Sequence, residues 1–353
     1  MSKVSFYPGP SQVYDKVPRW TKLAFDEGVL GINHRSRRFG EIVAEVYQLL
    51  QEKLQVPANY HVAFTSSATE CWEIIAQSFV EEKTFHLYNG AFGEKWHRLY
   101  KPLVPTAVSY LFDFEAPLIL DNVIVPSDVE LLCLTHNETS NGTYLPDDQL
   151  RELRELYPDT LIALDATSSM AGQALDFSLG DIWFASVQKC FGLPAGMGIL
   201  ICSPAAHARA LELQKRDHYN SWLTVQENAA KHQTHHTPNV LDIYLLSQML
   251  RERKDIQKVH EKISERYRQW NEVIDQLAGV NHLVPDATIR SQTVLTLTAS
   301  TSRIKALHQK AQQGGFTLGK GYGNWKKSSF RIANFPALRK EHIATLQRLL
   351  LEA

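Results

Sequence analysis

The chain has 353 residues, 44% hydrophobic and 21% charged, with 37 Lys and Arg set against 38 Asp and Glu. That length exceeds one average domain and allows a sizeable core. The balanced charge removes any global electrostatic case for nucleic acid or a membrane surface, so an anionic ligand must be held by a few placed cations.

The first residues, MSKVSFYPGPSQVYDKVP, hold no apolar signal segment, and no uncharged apolar run approaches bilayer-spanning length. GEIVAEVYQLLQEKL (40–54) places Ile42, Val43, Val46, Leu49, Leu50 and Leu54 on one helical face. VAFT (62–65) is an apolar run that stops at Ser66, and a helical pattern resumes over about 68–79. FHLY (85–88) reads as a strand and NGAFGEKW (89–96) as a turn-rich loop. LLCLT (131–135), LIALD (161–165), IWFAS (182–186) and GILIC (198–202) are further compact β-like runs, with a helical DDQLRELRELY (147–157) among them. Such alternation predicts an α/β domain on a mainly parallel sheet flanked by helices. Ligand groups in such sheets gather at the carboxyl ends of strands, here the 66–69 loop, Asp165 and residues 186–189.

From about Val240 the pattern changes. One long helical stretch (240–278) leads to a strand (293–299), a helix (302–313), a Gly-rich segment GGFTLGKGYGN (314–324), a strand (329–335) and a final helix (339–352). The expected division is an N-terminal arm (1–15), a large domain (16–250) and a smaller α+β domain (251–353). Cys71, Cys133, Cys190 and Cys202 form no C-x-x-C pair, which suits reduced thiols and a cytoplasmic protein.

Lys189 ends what reads as a buried strand. Its plain reading is a solvated amine on a strand end; the sharper one is a buried amine, activated by desolvation, that forms an imine with a carbonyl. Pyridoxal phosphate enzymes pair such a lysine with an acid at the pyridinium nitrogen. Asp165 ends an apolar strand 24 residues earlier, room for one crossing element, although alone it could be a helix cap. A phosphate is held by backbone N–H groups at a helix start, and TSSATECWE (65–73) supplies a strand end, hydroxyls and a helix, or simply an ordinary N-cap. Phe92, between small residues, offers a ring face.

DATSSMAG (165–172) followed by SVQKCFGLPAGMG (186–198) closely resembles the aspartate and lysine signatures of class V, fold-type I aminotransferases. FYPGPS, HRSRRF (34–39), NGAFGEKW, HNETSNG (136–142), HTPN (236–239) and FRIANF (330–335) occur in that family's order, so the resemblance covers essentially the whole chain. It implies pyridoxal 5'-phosphate bound to Lys189 through an imine, and Asp165 on the ring nitrogen. Ala68 and Thr69 would meet the cofactor phosphate, Phe92 would stack on the ring, Thr139 would bond the ring oxygen, and Gln188 the phosphate or ring oxygen. His236 and Thr237 would reach the phosphate of a neighbouring subunit, implying a homodimer with shared sites. Arg331 would clamp the substrate α-carboxylate, a planar target suited to the guanidinium fork.

Two branches fit. The phosphoserine aminotransferase branch has the pair His34-Arg35, which would meet a substrate phosphate or the glutamate side chain, the segment Asn137-Glu138-Thr139, and Arg331 with Phe335. It commonly carries tryptophan where Phe92 stands, asparagine where His236 stands, and an arginine in the phosphate loop, which TSSATECWE lacks; Lys326 and Lys327 are the candidate substitutes. The alanine–glyoxylate and serine–pyruvate branch shares the PGP start, the NG-x-FG loop and the FRI strand. The reaction implied is transfer of an amino group from glutamate to 3-phosphohydroxypyruvate, with glyoxylate or pyruvate as the alternative acceptor. Without the family, Arg35 with Arg37 and Arg38 reads as a solvated basic loop. His232, His235 and His236 invite a metal reading, but a site needs a further close ligand, so no metal is expected. A cysteine desulfurase is disfavoured because no cysteine follows Cys202. A non-catalytic binding protein that kept the fold is the remaining alternative; retention of Lys189, Asp165 and Arg331 argues for chemistry.

Overall fold

The structure, a computed structural model, describes residues 3–353. Its larger sheet has seven strands in the order His61–Thr65, Gly198–Cys202, Ile182–Ser186, Leu161–Asp165, Leu131–Thr135, Thr84–Tyr88 and Val108–Leu111. Gly198–Cys202 is antiparallel to both neighbours and every other pairing is parallel. Strands covered on both faces read as unbroken apolar runs, and Ile182–Ser186 and Gly198–Cys202 are buried throughout. Period-two alternation then splits their side chains between two cores. Leu132, Leu134, Trp183 and Ile199 belong to one; Leu131, Cys133, Phe184 and Leu200 belong to the other.

The second sheet has five strands in the order Val4–Phe6, Phe316–Lys320, Ser329–Ala333, Val294–Thr298 and Asn281–His282. Val4–Phe6 pairs parallel with Phe316–Lys320 and the remaining pairs are antiparallel. Within the segment expected as an N-terminal arm, Val4–Phe6 is thus a strand of the C-terminal sheet. Phe6 anchors it, packing edge-on to Phe316 at 5.8 Å and Trp270 at 6.3 Å.

Four local readings are corrected. The residues read as a loop at 89–96 open a helix, Ala91–Tyr100. The long helical stretch is two helices, Val240–Glu252 and Ile256–Ile274. At the break Arg253 turns extended and its Nη2 donates to Ala171 O at 3.0 Å, a tertiary contact that no local signal marks. The Gly-rich segment contains the strand Phe316–Lys320. Finally, Leu161–Asp165 and Ile182–Ser186 are adjacent parallel strands, and the connection between them holds no α-helix, only the 3₁₀ turn Phe177–Leu179.

Candidate active site

The carboxyl ends of the central strands open onto a cleft that the smaller sheet closes from the other side. Tyr7, Pro8, Gly9 and Pro10, Ala68, Thr69 and Trp72, Phe92, Thr139, Asp165, Gln188, Lys189, Tyr322 and Arg331 all line it.

Lys189 lies three residues beyond the end of Ile182–Ser186 and is 7% exposed. Its Nζ donates to Thr139 Oγ1 at 2.8 Å and Ser168 Oγ at 2.9 Å, two neutral acceptors. Burial lowers its pKa to about 8, although the nearby carboxylates of Asp165 and Glu138 oppose the shift. The amine sits 5.3 Å from the centroid of the Phe92 ring. Gly9 passes so close that a Cβ there would meet Lys189 Cε at 2.8 Å, on a backbone with φ +146°. Any side chain at that position would displace the lysine.

Asp165 closes its strand in register with Thr135 on one side and Phe184 on the other. Burial raises its pKa, while the Thr167 N–H, 2.9 Å from Oδ1, and the Lys189 charge pull it back down. The Thr167 hydroxyl and the Trp72 indole N–H approach it without reaching hydrogen-bond geometry, and both are buried without a partner. The Thr135 hydroxyl, also on the cleft wall, is likewise unpartnered.

Ala68–Phe79 begins at the cleft, with Ser67 as its N-cap accepting from Glu70 N. Ala68 N donates to Ser186 Oγ at 2.7 Å, tying the helix start to the lysine strand. Gln188 is fixed through its backbone oxygen, which accepts from Ser11 N at 3.0 Å. Arg331 reaches in from Ser329–Ala333: Nη1 donates to Thr139 O at 2.8 Å and Nε to Lys320 O at 2.9 Å. Its guanidinium lies 5.4 Å from the Tyr322 ring and 6.0 Å from that of Tyr7. The helix carrying Phe92 is held by Glu138, whose carboxylate accepts from Phe92 N and Gly93 N, both at 3.1 Å, and from Ser140 N at 2.9 Å.

The sequence-expected residues thus divide. Ala68, Thr69, Phe92, Thr139, Asp165, Gln188, Lys189 and Arg331 meet in one cleft. His34, Arg35, His236 and Thr237 do not enter it. Arg35 Nη1 donates to Asn228 Oδ1 at 2.8 Å and Gln233 Oε1 at 2.6 Å on an exposed rim. Desolvation, followed by the fields of Arg35 and His236, lowers the pKa of His34. His236 and Thr237 line a separate hollow with Ser66, Gly196 and Asp242. Lys326 and Lys327 are exposed and do not line the cleft. Among the described residues no three His, Cys, Asp or Glu side chains group as a metal site would require. Sequence reasoning missed Glu138, Ser168, Tyr7 and Tyr322. All four lay inside segments singled out above, Tyr7 in FYPGPS and Tyr322 in GGFTLGKGYGN, but only the folded arrangement shows what they touch.

Residues 8–321 match the model of the family described as aminotransferase class-V, and the chain belongs to that family. It is an aminotransferase of fold type I. A curated phosphoserine aminotransferase from Rhodococcus opacus is 26% identical over 96% of this chain and 92% of its own length. The crystal structure of a phosphoserine aminotransferase from Cytophaga hutchinsonii superposes with a TM-score of 0.94 at 34% identity, covering 99% of this chain and 98% of that one. An alanine–glyoxylate aminotransferase from Nostoc sp. shares the fold, with a TM-score of 0.84 at 19% identity over 100% of this chain and 95% of that one.

Proposed function

We propose that the cleft binds pyridoxal 5'-phosphate and that the chain transfers an amino group between glutamate and 3-phosphohydroxypyruvate. The observation that carries the cofactor assignment is the buried Lys189 amine, held by two hydroxyls beside an aromatic face, in one cleft with the buried acid Asp165. The cleft's chemistry fits that group. Thr135, Thr167 and Trp72 offer unpartnered buried polar atoms, Ala68 and Thr69 open a helix whose N-terminus favours a phosphate, and Phe92 presents a ring face. When bound, pyridoxal phosphate supplies an electron sink for charge developing at the substrate Cα.

The chain's own groups do the rest. Arg331 orients the substrate carboxylate through the guanidinium donors that Thr139 and Lys320 leave free. Asp165, kept dry, holds a proton against the ring nitrogen. Lys189 Nζ moves the proton at the substrate Cα, and a pKa of about 8 leaves an appreciable unprotonated fraction near neutral pH. Trp72 and Phe92, the latter stacked on Tyr322 at 5.2 Å, form an aromatic wall beside these charges.

Support for a phosphorylated substrate comes from the names of the relatives and from the His34-Arg35 pair. We place that pair, with His236 and Thr237, in the cleft of a neighbouring copy, making the active unit a homodimer. The four cysteines are free and buried, which fits a reducing cytoplasm. One observation favours the alanine–glyoxylate alternative, namely Phe92 at the position where phosphoserine enzymes commonly have tryptophan. A spectral titration of the cofactor-loaded protein with O-phospho-L-serine, L-serine and L-alanine decides between them. Conversion by phosphoserine alone is the expected result. Preference for serine or alanine would transfer the chain to the other branch and return the basic loop to solvent.

A further inference from the structure

Three cations line the cleft, Lys95, Lys189 and Arg331, against the single carboxylate of Asp165. Two of them are committed. Lys189 is bonded to Thr139 and Ser168, and Arg331 to the carbonyls of Thr139 and Lys320. Lys95 is different. It is half-buried on Ala91–Tyr100, three residues past Phe92, with Nζ 5.9 Å from the centroid of the Trp72 ring. Among the described residues it has no ion-pair partner. A partly desolvated ammonium on an aromatic face gains from the ring, but its charge still wants an anion.

What lies beside it indicates which anion. Trp72 belongs to Ala68–Phe79, three residues past Thr69, and a rise of 1.5 Å per residue puts it roughly 4.5 Å along the axis from Thr69. The residue is 4% exposed and lines the same wall, its indole N–H turned toward Asp165 without completing a hydrogen bond. One wall therefore combines a helix N-terminus, the Thr69 hydroxyl and an unpaired ammonium. Such a set matches a phosphoryl dianion better than a carboxylate, which Arg331 already serves.

We propose that Lys95 is a binding residue for a phosphoryl group at this wall, supplying the cation that the 65–73 loop lacks. The proposal rests on the cofactor and substrate reading above, and the group belongs either to the cofactor or to the substrate. The test compares wild type, Lys95→Met and Lys95→Arg. Cofactor-free protein is titrated with pyridoxal phosphate and with pyridoxal, followed by absorbance. Loaded protein is then assayed with O-phospho-L-serine and with L-serine.

If the cofactor supplies the group, Lys95→Met weakens pyridoxal phosphate binding at least tenfold and leaves pyridoxal within twofold. If the substrate supplies it, cofactor affinity holds while kcat/KM for phosphoserine falls at least tenfold and that for serine stays within twofold. Lys95→Arg recovers most of either loss. Changes within twofold for all four ligands, or equal losses for phosphorylated and unphosphorylated ones, overturn the proposal. Should wild type bind neither cofactor form, the cofactor reading fails by itself. Calorimetry with inorganic phosphate then decides for Lys95: binding lost in Lys95→Met supports the assignment and equal binding overturns it.

Discussion

At the scale of single residues, Lys189 sets function against stability. Its folded pKa of about 8 lies below the ordinary lysine value of 10.5. Between those values the folded chain binds fewer protons than the unfolded one, so stability rises with pH across that window, and the full cost is present below about 8. The cofactor-free Lys189→Met protein should therefore be more stable than wild type at pH 7, by roughly 1–3 kcal/mol, with the gap closing toward pH 10.5. Urea unfolding at the two pH values checks this; an equal gap at both would show that the shift is not the cause. The function proposed above makes the same lysine indispensable to chemistry. Lys189→Ala should lose transamination and the visible absorbance that wild type gains on incubation with pyridoxal phosphate. If the variant keeps that absorbance, another amine holds the cofactor.

At the scale of elements, the helix Ala91–Tyr100 shows how a site is assembled from distant parts. Its N-cap is Gly90, which has no side chain to cap with; a carboxylate 46 residues away, on Glu138, takes the orphan amides of Phe92 and Gly93. Glu138→Ala would strand those amides and that of Ser140, costing about 2–4 kcal/mol. It would also free the ring of Phe92, so cofactor affinity should fall along with the melting temperature; a drop in stability alone would confine Glu138 to a structural role. The same contact explains why this helix was hidden in the sequence. Asn89 and Gly90 signal a turn, and the cap that starts the helix is tertiary. Where the cap is local the boundary was legible: Ser67 marks the start of Ala68–Phe79, and the apolar runs at 131–135, 161–165, 182–186 and 198–202 coincide with strands. The strand Phe316–Lys320 was obscured by Gly319, which is needed because a Cβ there would come within 2.5 Å of Pro8 Cδ. Lys189 and Asp165 were legible because strand ends bring chemistry together, and Arg331, in the middle of Ser329–Ala333, only through the resemblance of FRIANF to the family; Lys95 was not, since nothing local distinguishes a cleft lysine from a solvated one.

At the scale of the whole molecule, the separation of His34, Arg35, His236 and Thr237 from the lysine cleft makes a prediction about assembly. If these residues complete a partner's cleft, Arg35→Ala and Lys189→Ala proteins, each inactive toward the phosphorylated substrate, should regain activity when unfolded and refolded together. Random pairing leaves one intact site in the mixed dimers, about a quarter of wild-type activity. No recovery would mean that the rim does not serve a neighbour's chemistry. Buried neutral histidines give the molecule an acid limit as well. Burial pushes His136 and His282 down to about 4, below the ordinary 6.5, so the folded state resists protonation that the unfolded chain accepts. Their contribution is complete above about pH 6.5 and is lost as pH falls toward 4. Unfolding midpoints in urea should fall steeply over that interval, and a flat profile would exclude these two groups as its source.

The pairing of Val4–Phe6 with Phe316–Lys320 also has a consequence in time. During synthesis the earlier strand leaves the ribosome more than 300 residues before its partner exists, and at about 5–20 residues per second that is a wait of roughly 15–60 s. For most of it Phe6, fully buried in the finished molecule, has neither Trp270 nor Phe316 to cover it. The segment that brings Tyr7 and Gly9 to the lysine is therefore among the last to be seated. The large sheet can assemble early, but the cleft becomes competent only when translation is nearly over.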